Sequence, residues 1–198
     1  MKHIISSCID KQITALESLK EVVTTPEYFE LFDELDNCPG RIFISGVGKN
    51  SNIATKISES MASLGIKSGY MDPTNYLHGD GGFLEKNDSI VYITRSGKTD
   101  EILAMLRHVK INWPSIKQYL IHCNPEIKEL PIWSLCLPNV VEGDYNELAP
   151  TTSTTTFLCF LDTITVALSH KKGFTKQEFL RTHPGGNLGN ILREDSDV

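Results

Sequence analysis

The chain has 198 residues, 40% of them apolar and 22% charged, and carries a formal net charge of −6 at pH 7. That length is enough for one ordinary hydrophobic core and predicts a single domain over residues 1–198. The acidic balance, with no basic run, argues against a nucleic-acid surface, and no apolar stretch approaches the ~20 residues of a membrane span.

Met1 to Cys8 has no signal-peptide pattern, so a cytoplasmic protein is expected. From Lys2 to Val23 the residues Ile5, Ile9, Ile13, Leu16 and Leu19 recur at helical spacing, and Thr24-Thr25-Pro26 ends that helix. Pro26 opens a second helix through Leu35, closed by Asn37-Cys38-Pro39-Gly40. An alternation of strands and helices follows. Arg41 to Ser45 reads as a strand, then Ile53, Ile57, Met61 and Leu64 mark a helix stopped by Gly65. Further strands are expected at Lys67–Met71, Ser89–Ile93, Gln118–Ile121 and Trp133–Leu137. The last element, Thr151 to Ser169, is apolar around most of its circumference, so it is expected to be buried in the core or between subunits. Such an alternation predicts a parallel sheet covered on both faces, with ligands at the carboxyl ends of its strands.

Thr94-Arg95-Ser96-Gly97-Lys98-Thr99-Asp100-Glu101 stands directly after an apolar strand and opens a helix marked by Ile102, Leu103, Leu106 and Val109. Hydroxyls and free N–H groups at a helix amino terminus make an anion site. Asp100 and Glu101 either complement the helix dipole or take part in chemistry. After the first strand comes Gly46-Val47-Gly48-Lys49, which lacks both the third glycine of a dinucleotide fingerprint and the ending of a P-loop; NAD and ATP are therefore disfavoured. A lysine loop beside a hydroxyl loop suits a phosphorylated small molecule.

Pro150 to Thr156 reads as a capped helix start, although six consecutive hydroxyl residues exceed what a cap needs. Glu142, in an irregular segment upstream, reads in isolation as a solvated loop carboxylate. Thr182-His183-Pro184-Gly185-Gly186 places a histidine in an extended pre-proline loop. The five cysteines (Cys8, Cys38, Cys123, Cys136, Cys159) are scattered without a C-x-x-C pair, which fits reduced thiols and no zinc site.

The ordered set G-x-G-K, then His78-Gly79-Asp80, then [ST]-x-S-G-x-T-x-E, then E-x(6)-A-P-T-[ST]-S-T-T, then H-P-G-G-x-L-G resembles the sugar isomerase (SIS) domain of the arabinose 5-phosphate isomerases. These supply arabinose 5-phosphate for Kdo synthesis in lipopolysaccharide and capsules. The resemblance runs from about Arg41 to Leu192, behind N-terminal helices spanning about residues 2–38. It implies an α/β SIS fold, a five-stranded parallel sheet flanked by helices on both faces in a three-layer sandwich. It also implies dimers or tetramers with active sites between subunits.

By resemblance the catalytic positions are Lys49, Glu101, Glu142 and His183, with His183 reaching a neighbour's site. The substrate-binding positions are Gly46, Ser51, Gly65, His78, Thr94, Arg95, Ser96 and Thr99. No cofactor is implied and no metal site is expected, because a histidine of relatives is Asp72 here. Other departures are Arg95 and Lys98 in place of the family's frequent S-N-S-G-E, Asn52 where relatives carry histidine, and Asp144-Tyr145 where relatives carry Cys-Pro. The paired CBS domains of longer relatives are expected to be absent.

Aldose–ketose isomerisation moves a proton between adjacent carbons through an enediol(ate), and two carboxylates, a lysine and a histidine fit that task. Lys49 would polarise the oxygens, Glu142 or His183 would take the carbon proton, and Glu101 would relay protons or bind hydroxyls. Alternatives are a hexulose or heptulose phosphate isomerase of the same fold, or a non-catalytic sugar-phosphate sensor. Retention of all four positions favours the enzyme.

Overall fold

The computed structural model describes residues 1–127, 130, 132–186 and 190. Two helices, α1 (Lys2–Val22) and α2 (Pro26–Asp36), precede β1 (Ile42–Gly46) and α3 (Lys49–Ser63). Then come β2 (Ser68–Tyr70), α4 (Pro73–Leu77), a 3-10 turn (Asp80–Phe83), β3 (Ser89–Thr94) and α5 (Asp100–Asn112). The chain continues through β4 (Lys117–His122), β5 (Trp133–Cys136), α6 (Thr152–Lys171) and α7 (Lys176–Thr182). The five strands form one sheet in the order β2-β1-β3-β4-β5, parallel throughout. The expected SIS architecture, with helices on both faces, is therefore present.

Every side chain of β1 and β3 is buried, which is why both read as continuous apolar runs rather than alternating ones. Successive β3 residues feed opposite cores. Val91 and Ile93 join Leu31, Ile57, Phe157 and Phe160 on the side of α2, α3 and α6. Ile90 and Tyr92 join Ile102, Met105 and Leu106 on the side of α4 and α5. Buried pairs four residues apart (Thr156 and Phe157, Phe160 and Leu161, Ile164 and Thr165) put one face of α6 into the first core. Its opposite side keeps Val166 exposed beside Leu158 and Cys159.

The expected elements recur with ends shifted by a residue or two. Three elements were not anticipated: α4, the 3-10 turn and α7, each too short for hydrophobic periodicity to register. Among the described residues, no helix is long and apolar enough to cross a membrane. Of the segment that resembles the SIS domain, Asn187, Leu188, Gly189, Ile191 and Leu192 lie outside the described residues.

Candidate active site

In this strand order the chain leaves β1 and β3 in opposite directions, so the crevice between their carboxyl ends is the place a ligand is expected. Gly46 closes β1 so tightly that a Cβ there would lie 2.8 Å from the Asn50 carbonyl oxygen. Gly48 follows at φ +62°, a left-handed conformation that suits glycine. The turn therefore needs both glycines to launch α3, whose first residue is the exposed Lys49. Ser51 donates from its hydroxyl back to the Gly48 carbonyl at 2.7 Å and so stiffens the same turn. The Tyr70 hydroxyl lies 3.3 Å from the Gly46 carbonyl oxygen and 2.9 Å from Asp72 Oδ2. Burial and then Asp72 push this phenol up to about 12. Asp72 itself caps α4, accepting from the N–H groups of Thr74 and Asn75.

A pocket of about 390 Å³ opens at this crevice, lined by Asn50, Thr94, Arg95, Ser96, Thr99, Cys123, Asn124 and Asn139. All four residues predicted from the β3–α5 loop line it. The loop is held from β4: Cys123 N–H donates to the Arg95 carbonyl at 3.1 Å, and Asn124 Nδ2 donates to the Ser96 carbonyl at 3.1 Å. Gly97, at φ +67°, has no room for a Cβ against Ile127. Thr99 is the N-cap of α5 but caps nothing with its side chain, because its hydroxyl pairs with that of Thr94 at 2.7 Å. Among the described residues no side chain therefore caps the first-turn N–H groups of α5, an arrangement suited to an anion.

Glu142 departs most from its sequence reading. It is not a solvated loop carboxylate: its side chain is fully buried and caps α6. Oε2 accepts from Thr151 N–H at 2.8 Å, Ser153 N–H at 3.2 Å and the Thr151 hydroxyl at 3.3 Å. Oε1 accepts a short bond of 2.5 Å from the Ser153 hydroxyl and faces Arg95 Nε at 3.3 Å. Burial pushes this carboxyl up, but the Ser153 hydroxyl, the Thr151 and Ser153 N–H groups and the Arg95 charge outweigh it and hold it below the ordinary range. Pro150 consequently lies before the Thr151 cap rather than in the first turn, and the threonine hydroxyls do not cap the helix. Thr154, Thr155 and Thr156 instead donate back to carbonyls three or four residues earlier.

Lys49, Glu101 and Glu142 all stand at the carboxyl end of the sheet, Glu101 exposed in the first turn of α5. His78 is the exposed C-cap of α4. Two predicted positions lie elsewhere. Gly65 terminates α3 at the opposite end, at φ +81°, where a Cβ would lie 2.5 Å from the Phe174 ring. It is a helix stop and does not reach the pocket of its own chain. His183 follows α7 at φ −124°, ψ 65°, so it ends a helix rather than lying in an extended loop. Its ring stacks on Phe179 at 3.9 Å, and neighbouring Thr182 donates to the Ser63 carbonyl at 3.2 Å. Ser63 is the last of the 15 residues of α3 that begin at Lys49. At ~1.5 Å per residue that helix is about 22 Å long, and it separates His183 from Lys49 within one chain.

Asn50, Cys123, Asn124 and Asn139 were missed by sequence reasoning, as was the Arg95–Glu142 pair. Asn124 had a usable signal, since it follows β4 at the carboxyl edge next to the β3 loop.

No protein-family model matches the chain. Arabinose 5-phosphate isomerase KpsF of Escherichia coli O6:H1 (strain CFT073) is 33% identical over 189 residues, covering 95% of this chain and 58% of that protein. Arabinose 5-phosphate isomerase KdsD of Yersinia pestis is 35% identical over 164 residues, covering 81% of this chain and 49% of that protein. A solved structure of an E. coli CFT073 protein in complex with arabinose 5-phosphate superimposes with a TM-score of 0.80 at 32% identity, covering 89% of this chain and 94% of that one. The chain spans 58% of the length of its KpsF relative. Fold and site thus define a sugar isomerase domain. Within that class, the chain belongs to the arabinose 5-phosphate isomerase family.

Proposed function

We propose that this domain is a cofactor-independent aldose–ketose isomerase that interconverts ribulose 5-phosphate and arabinose 5-phosphate through an enediol(ate). The observation that carries this is the pocket at the β1/β3 crevice, where Thr94, Arg95, Ser96 and Thr99 surround an uncapped helix amino terminus and Arg95 joins it to a buried glutamate. Phosphate binds over the loop, and the sugar carbons extend towards Lys49 and Glu142. Lys49 stabilises the developing oxyanion, Glu101 relays protons or holds hydroxyls, and Glu142 or His183 takes the carbon proton. Glu142, held ionised by its partners, is in the protonation state a base requires. Relatives named arabinose 5-phosphate isomerase and a neighbour solved with arabinose 5-phosphate support this substrate. The product would feed Kdo synthesis for lipopolysaccharide or capsule in the cytoplasm.

The proposed enzyme is a homo-oligomer, a dimer or a tetramer, in which His183 completes the site of a neighbouring subunit. The length of α3 between Lys49 and Ser63 supports a donated histidine. The exposed Ile5, Ile9 and Ile13 of α1 and Val166 of α6 offer apolar surface for assembly. Purified protein incubated with ribulose 5-phosphate should yield arabinose 5-phosphate and exchange the substrate's C1 or C2 proton with solvent. Exchange at the uncatalysed rate would end this reading. Mixing His183→Ala with Lys49→Ala subunits, each inactive alone, should restore part of the activity. No recovery despite proven subunit exchange would place His183 in its own chain's site.

A further inference from the structure

Glu142 has no spare capacity in this arrangement. Of its five side-chain contacts among the described residues, four come from the amino-terminal end of α6, through the N–H and hydroxyl of Thr151 and of Ser153, and are fixed by that helix. The fifth is different in kind. Arg95 comes from the loop that lines the pocket, and its side chain remains 45% exposed. Its backbone is pinned by the Cys123 N–H, so only the side chain is free to move.

The guanidinium is only partly spent. Nε faces Glu142 Oε1 at 3.3 Å and Nη2 donates to the Val140 carbonyl at 3.1 Å, so among the described residues three of the guanidinium's five N–H donors have no partner. The Nε–Oε1 separation also exceeds the ~2.7–2.9 Å of a strong charge-assisted bond. A doubly charged phosphate that offers a bidentate edge is the better partner. Other charges around the carboxylate do not compete. Lys11 Nζ is bonded to the Glu142 backbone carbonyl at 3.0 Å and to Glu147 Oε1 at 2.9 Å. The Cys123 thiol on the pocket floor is pushed up to about 12, chiefly by burial, and stays neutral.

We propose that Arg95 couples the two halves of the site: an anion seated on the Ser96–Thr99 loop draws the guanidinium to itself and frees Glu142 Oε1 from its ion pair only while the pocket is filled. This rests on the reading of that loop as a phosphate subsite. In the empty site Glu142 serves as a helix cap with a stabilised charge. In the filled site it loses its cationic partner and becomes a stronger base beside the substrate. Arg95 thus acts through Glu142 as a positioning residue, in addition to holding phosphate.

The test follows the Glu142 carboxyl directly. In protein labelled with ¹³C at glutamate side-chain carboxyls, its resonance is assigned by loss in Glu142→Gln and titrated with and without saturating inorganic phosphate. Phosphate should raise the midpoint by at least half a pH unit in the wild type. In Arg95→Gln the midpoint should start higher and move less on phosphate addition, and Arg95→Lys should fall between the two. An unchanged wild-type midpoint overturns the proposal, as does an equal rise in wild type and Arg95→Gln, which would be direct repulsion by the anion. If Arg95→Gln does not fold, the wild-type and Arg95→Lys arms decide on the same terms. Failure of phosphate to perturb the Ser96 and Thr99 amides removes the subsite, and the coupling with it. A protein inactive on ribulose 5-phosphate whose Glu142 still responds would end the isomerase reading and leave the coupling standing.

Discussion

The amino termini of α5 and α6 lie at the same end of the sheet, yet the chain treats them in opposite ways. At α6 a carboxylate from the chain itself, Glu142, takes up the orphan N–H groups of Thr151 and Ser153. At α5 the residue placed to cap, Thr99, turns its hydroxyl to Thr94 instead. The positive end of a helix dipole attracts negative charge in both cases. One terminus is therefore capped from within the chain, and the other, left without a side-chain cap by Thr99, is the one the proposed function fills with phosphate. Arg95 stands between them, paired with Glu142 and lining the pocket in front of α5.

The comparison breaks most severely at the filled terminus. Glu142→Gln should lower kcat by ~10²–10⁴-fold, the usual worth of a positioned base, as measured by the isomerisation assay. At the open terminus, Ser96→Ala combined with Thr99→Val should raise KM with little change in kcat, because phosphate contacts are similar in ground and transition states. Hydrogen bonds to a charged group are worth about 1.5–3 kcal/mol, so each such bond lost should raise KM roughly 10–100-fold. An unchanged KM with reduced kcat would mean the phosphate lies elsewhere. Gly65→Ala, at the far end of the sheet, should cost about 1–2 kcal/mol of stability in denaturant melts, from its left-handed backbone alone.

The smallest expected effect concerns pH. The Glu142 carboxyl is held below its ordinary value of 4.5, so its stabilising contribution is complete above that value and is lost as pH falls through the lower, folded one. Thermal melts between about pH 5 and pH 3 should therefore fall less steeply in Glu142→Gln than in the wild type.

The open terminus was legible in the sequence because everything that defines it is local: an apolar strand, a run of small and hydroxyl residues, then a helix. The filled one was not. Glu142 reaches Thr151 and Ser153 across an irregular segment of nine and eleven positions, and no periodicity links them. Arg95 meets Glu142 only because β3 and the segment after β5 end on the same side of the sheet. Likewise, the motif around His183 could be recognised but not located, because its place depends on how α7 packs against the end of α3. Gly65 was legible as a helix stop, but its distance from the pocket of its own chain follows from where α3 ends and could not be read from the sequence.

The all-parallel sheet bears on how the molecule comes to exist. No two neighbouring strands can be joined by a hairpin; each pair waits for a crossover. β1 and β3, which frame the pocket, are bridged at their entry by Arg41 N–H donating to Asp88 across 47 positions of chain. Contacts of that span slow the search for the native pairing. β1 and β3 also pack through Ile44, Val91 and Ile93 on Phe157 and Phe160 of α6, so the crevice between their carboxyl ends gains its full core only when α6, far along the chain, has been made.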